Sequence, residues 1–196
     1  MGPADRADGR TARRDRNRDA VLDAVLELFR EDAVYPGPAE VAERSGVSLR
    51  SVYRYFEDME TLVRAAMARH LDRVQPLFVI ESPGEGPLVD RIAELVDQRL
   101  RLYDAVAPMM RAALLRARSN ELIRERLEET RRGLRRQVQE VFAPELGELS
   151  AGESGDVVAA IDVLLEFESM EHLQRGRAMT APDTRRVLVR AVTSLL

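Results

Sequence analysis

Three properties of the sequence predict an all-α fold. Ala, Leu, Glu and Arg dominate long stretches, aromatic residues make up only 5%, and apolar residues return every three or four positions along most of the chain. The 196 residues, 45% of them hydrophobic, are enough for one or two domains with a real core. The absence of cysteine excludes disulfides, thiol chemistry and thiolate zinc sites. No apolar run approaches the roughly 20 residues that span a bilayer, and the N-terminus lacks the apolar centre of a secretory signal. A soluble, cytoplasmic protein with no membrane contact is expected. The formal net charge of −4 argues against nucleic acid as a partner, yet residues 10–18 hold five arginines and one aspartate. Local charge outweighs the total here.

The elements follow in order. Residues 1–12 are polar, contain Gly and Pro, and are expected to form a disordered arm. Arg13, Arg14, Arg16 and Arg18 lead into an amphipathic helix with Val21, Leu22, Val25, Leu28 and Phe29 on one stripe. Tyr35-Pro36-Gly37-Pro38 breaks that helix, and Pro38 suits the first turn of the next, which runs to about Glu43. Ser45-Gly46-Val47-Ser48 then reads as a tight turn, because Gly46 tolerates a positive φ and Ser48 can cap a new helix. In that helix Val52 and Phe56 share one face, while Arg50, Ser51, Tyr53, Arg54 and Tyr55 cover the rest. Glu57-Asp58 caps a fourth helix, Met59 to Val74, which is expected to connect two domains. Residues 76–87 read as a linker.

From Leu88 the helical pattern resumes. A stripe of Ile92, Leu95, Val96, Arg99, Leu102 and Tyr103 marks one helix over 88–106, and Pro108 is expected to start another with Met109, Met110, Ala113 and Leu114. A long helix is predicted from Asn120 to about Phe142, with a dense outer face of charge. Its cluster Arg131, Arg132, Arg135 and Arg136 reads as a solvated face in preference to a second nucleic-acid patch. Residues 144–155 are expected to form a loop. The helix from Asp156 to about Arg175 is apolar nearly all round and must be buried on two faces. The last helix, about 182–196, again carries an apolar side, and this pair of helices suggests a subunit interface.

The function class comes from the short helix after Gly46. Hydroxyls and guanidinium groups on its exposed side are the groups that bind phosphate oxygens and base edges. A basic segment before such a helix suits a phosphate backbone or a minor groove. Residues 13–75, with Val25-Leu26-Glu27-Leu28-Phe29, Val41-Ala42-Glu43-Arg44-Ser45-Gly46-Val47-Ser48, Ser51-Val52-Tyr53-Arg54-Tyr55-Phe56 and Glu60-Thr61-Leu62 in this order, resemble the DNA-binding domain of the TetR family of bacterial transcriptional regulators. The resemblance implies a three-helix helix-turn-helix head joined by a connecting helix to a larger effector-binding and dimerisation domain, residues 88–196, which resembles the family in architecture only. It places Ser48, Leu49, Arg50, Ser51, Tyr53, Arg54 and Tyr55 at DNA, with Val47, Val52 and Phe56 in the core. Arg13, Arg14 and Arg16 join the DNA-binding set as the basic arm. The family usually has a threonine or serine at the start of the second helix, where this chain has Gly37 and Pro38, so the phosphate contact there is lost or limited to the Gly37 N–H. A lysine usual just past the recognition helix is replaced by Met59.

The resemblance implies a homodimer joined through the last two helices, acting as a repressor released from a palindromic operator by an unknown small molecule. An activator of the same fold, or a helical adaptor for proteins, is the alternative. Tyr103, Met109, Met110, Leu114, Phe142, Leu165 and Phe167 are candidate effector contacts, being large, adaptable or aromatic residues on the enclosing helices. Glu168 and His172 join them, because their spacing continues the stripe Ile161-Leu164-Leu165 and sets two titratable groups on an apolar face. No cofactor or metal is expected. Neither His70 nor His172 has a glutamate three residues before it, as a di-metal bundle requires, and no nucleophile-elbow, zinc-protease or phosphate-loop motif is present. A non-enzymatic protein is therefore expected.

Overall fold

The computed structural model describes residues 3–32 and 35–196, with side chains for residues 12–31 and 35–196. Among these residues there are α-helices and no strand. In chain order they are α1 (Pro3–Asp32), α2 (Pro38–Ser45), α3 (Leu49–Tyr55), α4 (Met59–Val74), α5 (Leu88–Ala117), α6 (Glu121–Val141), α7 (Ala143–Leu146), α8 (Ala151–Leu164), α9 (Phe167–Glu171) and α10 (Ala181–Thr193). A 3-10 turn, Gln75–Phe78, follows α4, and a π-helical turn, His172–Gly176, follows α9. No helix of the described residues is long and apolar enough to cross a membrane.

The chain divides into two compact units, Met1–Arg73 with Pro108–Leu115, and Val74–Ala107 with Arg116–Leu196. In the first, Val21, Leu22, Val25 and Phe29 of α1 meet Val41, Val52, Leu62 and Ala66 from the next three helices, and Met109 and Ala112 of α5 complete the same core. Phe29 is fully buried and meets the Tyr35 ring edge-on with centroids 6.2 Å apart. Burying one such side chain contributes about 1.5–3 kcal/mol. Ion pairs fix the outside of the unit, including Arg44 with Glu31 at 2.7 Å and Arg69 with Asp19 at 3.0 Å. Being exposed, each adds little.

The second unit closes around Ile92, Leu95 and Val96 of α5, Val138 and Phe142 at the end of α6, Ile161 and Leu165 at the end of α8, and Leu188 and Val192 of α10. Its start is held by Arg91, which is 7% exposed. Arg91 donates to Gly86 O at 3.1 Å, Val141 O at 2.6 Å and Glu145 Oε2 at 2.9 Å, and also to Glu145 Oε1. The 81–87 segment is therefore docked on this unit. Gly84 has φ +84°, and a Cβ there would stand 3.0 Å from the Glu140 carbonyl oxygen.

Four expectations change. Helix α1 already begins at Pro3, inside the arm expected to be disordered, where alanines and arginines propagate a helix and Pro3 fits its first turn. Pro108 does not start a helix but lies inside the continuous α5. A proline removes one backbone bond, and a helix packed on both sides of it tolerates that loss. Helix α8 starts at Ala151, earlier than the apolar pattern indicated, because Ser150 and Glu153 form a capping box. The predicted single helix over 156–175 is broken after Leu164, where Glu166 is extended (φ −70°, ψ 157°) and caps α9.

Candidate nucleic-acid interface

The turn between α2 and α3 is built by three small residues. Gly46 adopts φ +65° and sends its N–H to Glu43 O at 3.3 Å, the left-handed end that only glycine takes without strain. Ser45 Oγ accepts the Val47 N–H at 3.3 Å. Ser48 then opens α3, its Oγ accepting the Ser51 N–H at 3.3 Å and lying 3.1 Å from Ser51 Oγ. Ser48→Ala is expected to destabilise the first unit by about 1 kcal/mol, read as a lower chemical-denaturation midpoint at unchanged slope.

Val47, Val52 and Phe56 pin α3 to the core, at 7%, 2% and 4% exposure. Ser48, Leu49, Arg50, Tyr53 and Arg54 consequently face solvent, and Ser51 and Tyr55 are half-buried. The Arg54 guanidinium lies 5.1 Å from the Tyr55 ring centroid and donates to the Tyr55 hydroxyl at 3.2 Å. That hydrogen bond from Arg54 holds the Tyr55 hydroxyl below the ordinary phenol pKa, and the charge of Arg14 on α1 acts in the same direction. Arg18 stacks over the Phe56 ring at 5.1 Å. The basic stretch within α1, with exposed Arg13, Arg14 and Arg16, thus lies beside the end of α3.

The order and geometry of these elements identify the head. Residues 21–66 match the model of the bacterial regulatory proteins of the tetR family. They form a TetR-family domain. Within the matched residues α2 and α3 are the two helices of a helix-turn-helix. The fold of the chain also resembles solved TetR-family transcriptional regulators. One from Streptomyces coelicolor superposes with a TM-score of 0.65 at 22% identity, over 92% of this chain and 79% of its own. One from Rhodococcus sp. Rha1 gives 0.66 at 18% identity, covering 93% and 95% of the two chains. A third, from Rhodococcus sp., gives 0.65 at 21% identity over 91% and 98%. No curated protein matches the chain.

One DNA candidate is placed differently from expectation. The Gly37 N–H, expected to be open to a phosphate, donates to Glu40 Oε2 at 2.6 Å. The carboxylate three residues into α2 already occupies the position an anion would take.

The effector candidates divide between the units. Tyr103, Phe142 and Leu165 are buried in the core of the second, with Phe167 against Tyr103 at 5.3 Å between centroids. Met109 is buried in the core of the first unit, and Met110 and Leu114 lie on the same Pro108–Leu115 segment of that unit. The continuity of α5 through Pro108 carries all three out of the second unit. Glu168 and His172 are both exposed, and Glu168 pairs with Arg131. The break before α9 resets the helical phase, so neither continues the apolar stripe of α8. Sequence reasoning passed over Glu171, which accepts the Tyr103 hydroxyl at 2.7 Å, and treated Arg99 as part of an apolar stripe although it is 3% exposed. A charge inside such a stripe was the available signal.

Helices α8 and α10 also share a shallow apolar groove lined by Ala159, Ala160, Val163, Leu164, Ala191 and Leu195. Val163 is 60% exposed there.

Proposed function

We propose that the chain is a homodimeric transcriptional repressor released from a palindromic operator by a small-molecule effector. The observation that carries the DNA reading is the exposed face of α3, where Arg50, Tyr53 and Arg54 stand out from a helix fixed by Val52 and Phe56. Such a helix suits the major groove, with guanidinium groups for guanine edges or phosphates and a phenol for a phosphate oxygen. The apolar groove on α8 and α10 supports the dimer, since a two-fold interface needs one self-complementary patch. Two heads would then read half-sites about 34–36 Å apart or slightly wider. An effector in the second unit would favour a spacing of the heads that no longer fits DNA, which takes a differential affinity on the order of 1–3 kcal/mol.

Footprinting on duplex DNA flanking the chain's own gene tests this reading. Protection over an inverted repeat is expected. Arg50→Ala weakens operator binding by about 1–3 kcal/mol and relaxes specificity, whereas Tyr53→Phe weakens binding to all sequences by about 1 kcal/mol. The binding constant also falls steeply with salt as counterions are released. Gel-shift affinities unchanged in both variants, or a flat salt titration, would remove α3 from the DNA.

A further inference from the structure

Inside the second unit the hydrogen bonds do not balance. Arg99 of α5 is 3% exposed, and its guanidinium donates to Gln98 Oε1, to Gln137 Oε1 at 2.5 Å and to Leu134 O at 3.0 Å. All three acceptors are neutral. Among the described residues no carboxylate lies within ion-pair distance of Arg99. Asp162, the acid whose charge favours ionised Arg99, is bonded to Arg135 Nε at 2.7 Å. Burial lowers the Arg99 pKa to about 10, which leaves it charged at neutral pH. A buried charge without an opposite charge is costly, and a protein core seldom keeps one that serves packing alone.

A second observation points the same way. Gln174, in the π-helical turn, has a buried Nε2 with no hydrogen-bond partner among the described residues. It follows Glu171 by three residues, and Glu171 holds the hydroxyl of Tyr103, one turn along α5 from Arg99. Among the described residues the only buried side-chain atom left without a partner is this donor, and no acceptor is in that state. What the unit lacks is therefore an anion and an acceptor. π-turns inside helices recur at functional sites for the same reason, since they turn polar groups away from the regular ladder.

We infer that the effector is a small organic monoanion, an apolar body carrying a carboxylate, and that Arg99 binds the carboxylate. The amide oxygens of Gln98 and Gln137 on Nη1 and the Leu134 carbonyl on Nη2 hold the two adjacent nitrogens that a carboxylate would bridge, and the amides give way to it. A carboxylate matches one guanidinium in charge and in its two parallel acceptors, whereas a phosphate dianion would bring a second charge into an apolar core. Leu95, Val138, Ile161 and the Tyr103–Phe167 pair supply apolar surroundings. The inference rests on the proposed effector response and names its chemistry.

The test uses the full chain. Thermal melts are recorded with phenylacetate, cinnamate and octanoate, each beside its methyl ester and the amine of the same skeleton, and gel shifts on the footprinted duplex follow. The expected result is a rise of several degrees in Tm with at least one acid, together with about tenfold weaker DNA binding, and neither effect with the ester or amine. Arg99→Gln abolishes the acid response, and Arg99→Lys, which keeps the charge without the planar fork, retains a part of it. Should Arg99→Gln fail to fold, the lysine variant and the acid-to-ester comparison on the unaltered chain still decide. Equal responses to acid and ester, no response to any acid, or a full acid response in Arg99→Gln would overturn the inference. Failure of the regulator reading is a separate result, the absence of any protected duplex without ligand, and the melts do not depend on it.

Discussion

Arg91→Ala lowers the stability of the second unit by about 3 kcal/mol, measured as a fall in the chemical-denaturation midpoint. Arg91 is 7% exposed and serves three backbone or side-chain partners at once, so alanine leaves the Val141 carbonyl and the Glu145 carboxylate without their donor. The effect sits at the lower end for a broken buried pair because Glu145, at 22% exposure, keeps contact with water. The pair also gives stability a pH dependence of known sign. The Arg91 hydrogen bond holds the Glu145 carboxyl below its ordinary value in the folded state. Its contribution is then complete above the unfolded carboxylate pKa and is lost as pH falls through the folded one. Glu145→Gln should flatten this part of the acid limb in a series of thermal melts between neutral and acid pH. An acid limb identical to that of the unaltered chain would show that Glu145 does not contribute to it.

Val163→Arg is expected to convert the proposed dimer into a monomer and to reduce operator affinity by more than about a hundredfold. Val163 is 60% exposed at the α8 and α10 groove, so a longer side chain meets no clash within its own chain. In a two-fold interface the substitution appears twice, and two guanidinium groups face each other in a desolvated patch. A head on its own also loses the advantage of a tethered twin, whose effective concentration reaches the millimolar range. Sedimentation velocity reads the mass and a gel shift the affinity. A monomeric unaltered chain, or a variant that keeps the dimer mass, would move the interface elsewhere.

The short helix α3 is legible in the sequence because each of its features is local. A glycine at φ +65°, a serine that caps the helix and two apolar residues four apart are encoded within twelve residues. The helix from Met59 to Val74 was legible for the same reason, with Asp58 Oδ1 accepting the Thr61 N–H at 2.7 Å as its cap. What failed depended on contacts distant in sequence. Pro108 reads as a start signal, yet it lies inside α5, whose two halves pack in the two cores. Glu166 carries no residue-level mark of a break, so in the sequence the stripe runs on to Glu168 and His172. That the Gly37 N–H is taken by Glu40 is not legible from spacing, because the reach of the Glu40 side chain is a matter of rotamer. Arg99 stood in the stripe from the outset, yet only its 3% exposure separates a buried charge from one whose head reaches water.

The membership of Met109 and Ala112 in the core of the head bears on modularity. Read along the chain, the domain is a compact module ending near residue 75, ready to be spliced onto another protein. Part of its hydrophobic interior is nevertheless supplied from more than thirty residues further on, by one face of α5. A gene fusion cut after α4 would carry the helix-turn-helix but leave its scaffold underfilled, so a portable version must bring residues 108–115 or replace their apolar side chains.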